Sequence, residues 1–161
     1  MIKIGVTGHQ HLKSINWEWS IENIRSYLCE YNDVIGITCL AAGADQIFAE
    51  LVLEQNGQII SILPYENIIE SFIKKSDRQK FQELLSKSKQ AITLPTADNK
   101  ELAYLNAGKK VVDCCERMIA VWNEQPSEGL GGTADIVKYA QSQSKPVSVF
   151  NPYKRKISQL V

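Results

Sequence analysis

Six short apolar runs, at residues 2–6, 34–40, 59–63, 91–94, 118–122 and 147–150, alternate with stretches whose apolar residues recur at helical spacing. The runs are rich in β-branched residues, too short for helices, and mostly lack the in-out alternation of a half-exposed strand, so they read as strands buried on both faces. Between them, Trp17, Ile21, Ile24 and Leu28 line one side of a first helix with Asn16 as its candidate cap. Ile47, Phe48, Leu51 and Val52 line a second, which Gly57 ends. Residues 65–90 form a helical stretch in two parts, restarted by a capping box at Ser76 and Gln79. Asp98, with Glu101 three residues on, caps a helix whose inner face carries Leu105, Gly108, Val112 and Cys115, and Thr133 opens the last helix, to about residue 143. Strict alternation of strand and helix predicts a doubly wound α/β domain, a mostly parallel sheet with helices on both faces. The expected strand order is 3-2-1-4-5-6, with a polar tail after residue 150. In that order a ligand crevice opens at the carboxyl ends of the first and fourth strands, where their connections diverge.

The 161 residues fit one domain, 1–161, long enough to bury a core without disulfides or metal. Its 18 basic and 18 acidic residues leave no net charge, which argues against a nucleic-acid partner. The densest basic group, Lys74, Lys75, Arg78, Lys80, Lys87 and Lys89, is interrupted by acids and reads as a solvated helix face. A strand begins at once after Met1 and no apolar run approaches membrane-spanning length, so a cytoplasmic protein without a membrane partner is expected. Cys29, Cys39, Cys114 and Cys115 lack the paired spacing of a zinc site and are expected as buried free thiols. His9 and His11 are the only histidines and nothing completes a ligand set around them, so no metal is expected and no cofactor is implied.

The chemistry concentrates at strand ends. Residues 117–135 read as a strand, a glycine loop and a helix start. There the first backbone N–H groups of the helix lack internal partners and the helix dipole favours an anion, most often phosphate. Gly129, Gly131 and Gly132 let the backbone approach a ligand around Leu130, and the Thr133 hydroxyl adds a donor. Thr7, Gly8 and His9 end the first strand, and Gly43, Ala44 and Asp45 open the second helix. Asp45 at a helix start suits ribose hydroxyls, or equally a plain N-cap; His9 suits phosphate contact; Trp122 and Asn123 end the central strand, where an indole can stack on a base. These thirteen positions form the expected ligand site.

With Gly5-Val6-Thr7-Gly8-His9, Ala42-Gly43-Ala44-Asp45 and Gly129-Leu130-Gly131-Gly132-Thr133 in this order, the chain resembles the SLOG superfamily of Rossmann-like nucleotide-binding proteins. That superfamily takes in the Lonely guy (LOG) family, the DNA-processing protein A family and YpsA-like proteins. The resemblance implies a nucleotide or nucleotide-derived ligand, with phosphate on the glycine loop and sugar near the second loop, and dimers or higher oligomers formed through the helices. LOG proteins cleave the N-glycosidic bond of nucleoside monophosphates with a loop reading Pro-Gly-Gly-x-Gly-Thr-x-x-Glu. Gly129, Gly132 and Thr133 match it, whereas the proline is Glu128, the second glycine Leu130 and the catalytic glutamate Ile136. Ala107 and Lys109 stand where that family carries an arginine. An apolar side chain cannot stabilise an oxocarbenium-like centre or handle a proton.

The expected function is therefore a sensor or sequestering module for a nucleotide-derived molecule, cyclic or containing ADP-ribose, of the kind the superfamily links to bacterial signalling and phage defence. The alternative is an N-glycoside hydrolase or transferase on nucleotides, with Asp45, Asp135, Glu124 or Glu128 replacing the missing glutamate. One residue along a helix turns a side chain by roughly 100°, which aims Asp135 away from the glutamate's place. A third reading is a partner-binding domain with a vestigial cleft.

Overall fold

The computed structural model describes all 161 residues, Met1–Val161. In chain order the elements are β1 (Ile2–Gly8), α1 (Glu18–Leu28), β2 (Val34–Thr38), α2 (Ala44–Glu54), β3 (Gln58–Leu63), a 3-10 turn (Ile68–Ser71), α3 (Lys75–Ser86), β4 (Gln90–Thr93), α4 (Lys100–Cys114), β5 (Arg117–Val121), α5 (Thr133–Ser142), β6 (Val147–Asn151) and β7 (Lys156–Leu160). The predicted α/β architecture is the one found. The strand order is not: it runs β4-β3-β2-β1-β5-β6-β7, so β1 pairs with β5 and β4 lies at an edge. Burial explains the correction. Met118, Ile119, Ala120 and Val121 of β5 are all fully buried, as a central strand requires, whereas Gln90, Ala91 and Thr93 of β4 are exposed.

The expected polar tail is a seventh strand, paired antiparallel to β6 from Val147↔Leu160 to Asn151↔Lys156. Its turn is built by Asn151, whose Oδ1 accepts from the N–H groups of Tyr153 and Lys154, both at 3.1 Å. Two capping expectations also shift. Asn99, not Asp98, caps α4 by accepting the Leu102 N–H at 2.8 Å, and Ser76 lies inside α3 rather than at its start. Asn16 does accept the Glu18 N–H at 3.2 Å, although the capping position of α1 itself is Trp17.

Two cores flank the sheet. On one face Ile4, Val6, Ile119 and Val121 pack with Ile24 and Leu28 of α1, Phe48 and Val52 of α2, and Phe81 of α3. On the other, Ile35, Ile37, Ala120 and Val149 pack with Ala107 and Val111 of α4 and Ile136 and Ala140 of α5. Of the thiols expected to be buried, only Cys115 fully is; Cys39 and Cys114 are half-buried and Cys29 is exposed. No helix is long and apolar enough to cross a membrane.

Candidate functional site

Because β1 and β5 are neighbours and send their chains to helices on opposite faces, the crevice lies between their carboxyl ends, the topological switch point of the sheet. Four loops were expected there. Three meet: those after β1, β2 and β5. The Pro95–Thr96 loop follows the edge strand β4, three strands from β1.

The first two loops are stitched to each other. Gly43 has φ +83°, and a Cβ there would lie 2.6 Å from the His9 carbonyl oxygen and 2.5 Å from that of Gln10, so the β1 loop runs directly over it. The Ala44 N–H donates to the His9 carbonyl at 3.1 Å, and the Gln46 N–H to that of Ala41 at 3.2 Å. Gly8 is required for the same approach, since a Cβ there would lie 2.6 Å from Cβ of Ala44. The N-terminus of α2 is thus largely closed by protein. Asp45 is 6% exposed, and its carboxylate accepts from the Cys39 N–H at 3.0 Å and the Thr38 hydroxyl at 3.3 Å. Burial raises its pKa to about 6 against the pull of those hydrogen bonds. The structure places this carboxylate inside the loop it braces, between β2 and α2.

His9 joins the first loop to the third. Its Nε2 accepts the Asn123 N–H at 3.0 Å, which requires a neutral ring with the proton on Nδ1. Burial pushes the imidazole pKa down in the same direction, against an opposing pull from the Asn123 side chain. Beyond β5 the chain is held by the Trp122 indole N–H on the Gln125 carbonyl at 2.9 Å, and by Asn123 Oδ1 accepting the Gln125 N–H at 3.1 Å. The Glu124 carboxylate accepts from Asn151 Nδ2 at 2.7 Å, which lowers its pKa and ties it to the β6–β7 turn.

The glycine loop lies along the first turns of α4. Gly131, at φ +83°, leaves no room for a Cβ, which would sit 2.8 Å from the Leu105 nitrogen; one on Gly132 would sit 2.6 Å from Ser127 Oγ. Asp135 turns back on the loop, its Oδ2 accepting the Gly131 N–H at 2.9 Å. That arrangement leaves the N–H groups of Gly132, Thr133 and Ala134 and the Thr133 hydroxyl without any protein acceptor. Of the two loop-to-helix junctions that the sequence nominated, the one at α5 keeps its donors free. Thr7, one residue before Gly8 and on the same sheet face as Gly5 against α4, has a hydroxyl engaged in no protein hydrogen bond. Leu130 stands 48% exposed on the loop's outer side, beside Gly129.

The position of the LOG glutamate is filled by core. Ile136 is 2% exposed and packs into the notch left by Gly108, where a Cβ has no room. Ala107 is buried beneath it, and Lys109 lies over the Tyr139 ring at 5.1 Å from its centre. No three His, Cys, Asp or Glu side chains converge as a metal-ligand group. Sequence reasoning missed Ser127, which buttresses Gly132 and accepts from the Asp135 N–H at 3.4 Å. It also missed Tyr65 and Tyr104, whose hydroxyls meet at 3.4 Å above the sheet's carboxyl edge.

A parallel sheet whose order reverses beside β1, with an open helix N-terminus at the reversal, defines a Rossmann-like α/β domain. No family model and no curated protein matches the chain. Among solved structures it is similar to DNA processing protein A from Streptococcus pneumoniae, with 14% identity and a TM-score of 0.67 over 92% of this chain and 50% of that one. It is similar to DNA processing protein A from Helicobacter pylori at 17% identity and a TM-score of 0.68, over 92% and 64% of the two chains. The structural-genomics target TM1055 has 16% identity and a TM-score of 0.60, over 91% and 72%. The chain spans only 50% and 64% of the two DNA processing proteins. At these identities the likeness is one of fold, and it is the fold that the SLOG resemblance implies.

One expectation is overturned by this comparison. The balanced charge argued against nucleic acid, yet the Helicobacter pylori protein binds single-stranded DNA on the same fold. Net charge averages over the whole surface and carries no information about a cleft whose donors are backbone N–H groups.

Proposed function

We propose that this chain binds a nucleotide or nucleotide-derived molecule at the β1–β5 switch point, with a phosphate on the N-terminus of α5, and acts as a sensor or sequestering module. The single observation that carries the reading is the set of free donors there, the N–H groups of Gly132, Thr133 and Ala134 with the Thr133 hydroxyl, whereas the start of α2 is largely closed by the β1 loop. Backbone donors at a helix N-terminus match a phosphate in geometry and in sign. Thr7, Trp122 and Asn123 border the same crevice, and His9, Asp45 and Asp135 hold its loops in place rather than offering free groups to a ligand. A cyclic or ADP-ribose-type signal fits this chemistry, as do roles in bacterial signalling and phage defence.

A second reading, that the phosphate belongs to single-stranded nucleic acid, is favoured by the likeness to the DNA processing protein that binds it. Hydrolysis of the N-glycosidic bond has less support, because Ile136 is core, Asp45, Asp135 and Glu124 accept hydrogen bonds within the protein, and Glu128, the fourth candidate carboxylate, is exposed on the loop. Calorimetry with AMP, cyclic AMP, ADP-ribose and a single-stranded deoxyadenosine oligomer tests the proposal. Saturable binding of at least one of them, weakened in Thr133→Val, supports it; an intact, ligand-free protein that binds none of the four refutes it.

A further inference from the structure

Tyr104 is one of few large apolar side chains left in the open, 38% exposed, and it packs into neither core. It stands in the first turns of α4, one turn before Ala107, which is buried, and Gly108, against which Ile136 of α5 packs. There its ring meets Tyr65, which leaves the carboxyl end of β3 and packs on the opposite core. The ring centres are 6.3 Å apart and tilted by 42°, and the hydroxyls touch at 3.4 Å. The pair bridges the two faces above the strand ends. Leu105, the next residue on α4, is the one on which Gly131 rests, so the aromatic pair adjoins the glycine loop along one helix.

A single exposed tyrosine on a helix is ordinary. Two rings from elements on opposite faces of the sheet, in contact at the strands' carboxyl ends, with Tyr104 carried by the helix that backs the glycine loop, form a platform. We propose that Tyr104, backed by Tyr65, is the surface on which the base of the bound nucleotide stacks. The inference rests on the nucleotide reading above and adds to it the class of ligand: one with an intact aromatic base, whether a free nucleotide or a unit of single-stranded nucleic acid. Burial and the Tyr65 hydroxyl push the Tyr104 pKa up to about 12, so the ring stays neutral at physiological pH and presents its face without charge. Stacking on an aromatic side chain tolerates any base, so the platform selects for the presence of a base rather than for its identity.

The test compares AMP, ribose 5-phosphate and a single-stranded deoxyadenosine oligomer by calorimetry on the wild-type chain, Tyr104→Phe and Tyr104→Ala. Wild type binds AMP about tenfold or more tighter than ribose 5-phosphate, the effect of one stacked base. Tyr104→Phe keeps that ratio, while Tyr104→Ala brings it close to one and leaves ribose 5-phosphate binding unchanged. A free nucleotide as the source makes AMP at least as tight as the oligomer; a nucleic-acid source makes the oligomer tighter, with the same loss in Tyr104→Ala. If AMP binds and Tyr104→Ala leaves the ratio intact, or weakens both ligands equally, the platform is refuted while the phosphate site stands. If none of the three binds, the nucleotide reading fails and the platform with it.

Discussion

Replacing Thr133 with proline separates the proposed phosphate cradle from the fold. Thr133 is the first residue of α5, the one helical position where proline's missing N–H costs nothing inside the helix, and its N–H donates to no protein group here. Gly132 before it has φ −73° and ψ 176°, the extended conformation that a following proline demands. The substitution therefore removes two of the four free donors, the N–H and the hydroxyl, with a stability change under about 1 kcal/mol. Each hydrogen bond to a charged phosphate contributes about 1.5–3 kcal/mol, so losing two lowers AMP affinity by about a hundredfold or more. Thr133→Val removes the hydroxyl alone and costs about tenfold. Calorimetry gives the affinities and urea denaturation the stability. A folded Thr133→Pro variant that binds AMP as wild type does would refute the reasoning, because no phosphate could then rest on this residue.

Three further substitutions test the framework. Ile136→Glu restores the LOG residue in sequence but buries a carboxylate in the Gly108 notch, so it destabilises the chain by about 3 kcal/mol or more in urea denaturation. It does not release base from AMP in a chromatographic assay. Gly43→Ala forces a side chain into a left-handed backbone against the carbonyls of His9 and Gln10, and lowers stability by about 2 kcal/mol or more. The Asp45 carboxyl has its pKa raised from 3.8 to about 6 by folding, so the folded state holds the extra proton, and this group's contribution to stability falls as pH rises through that window. Asp45→Asn removes the titration; its stability relative to wild type should rise by about 2 kcal/mol between pH 3.8 and 6, about 3 kcal/mol over the whole titration, and level off above pH 7. A flat difference across that range would show that burial does not govern this carboxyl.

The alternation of apolar runs with helical stripes was enough to read the architecture, because period and run length are local properties of the chain. Strand order was harder. The signal lay in composition: Gln90-Ala91-Ile92-Thr93 cannot fill a central strand and Met118-Ile119-Ala120-Val121 can, but only comparing the two reveals which one flanks β1. β7 was missed because its side chains are largely exposed, and its pairing is made by the backbone. The glycine loop was legible as a junction between a strand and a helix start, but two of its three glycines serve packing, Gly131 against Leu105 and Gly132 against Ser127. An acid at a helix start also reads alike whether it faces a ribose or its own loop. Asp45 takes the second course because Thr38 and Cys39 lie behind it, which only the fold can tell. Tyr65 and Tyr104 stand 39 residues apart in sequence and had no motif to connect them.

The central claim, a phosphate held by the start of α5, is tested most directly by following the backbone amides of the labelled protein in a 15N–1H NMR titration with AMP. The account predicts that the amides of Gly132, Thr133 and Ala134 shift most and saturate together, with smaller changes around Thr7 and Tyr104. Saturable shifts that leave these three amides unmoved, or no shifts at all in a protein free of carried-over ligand, would contradict it.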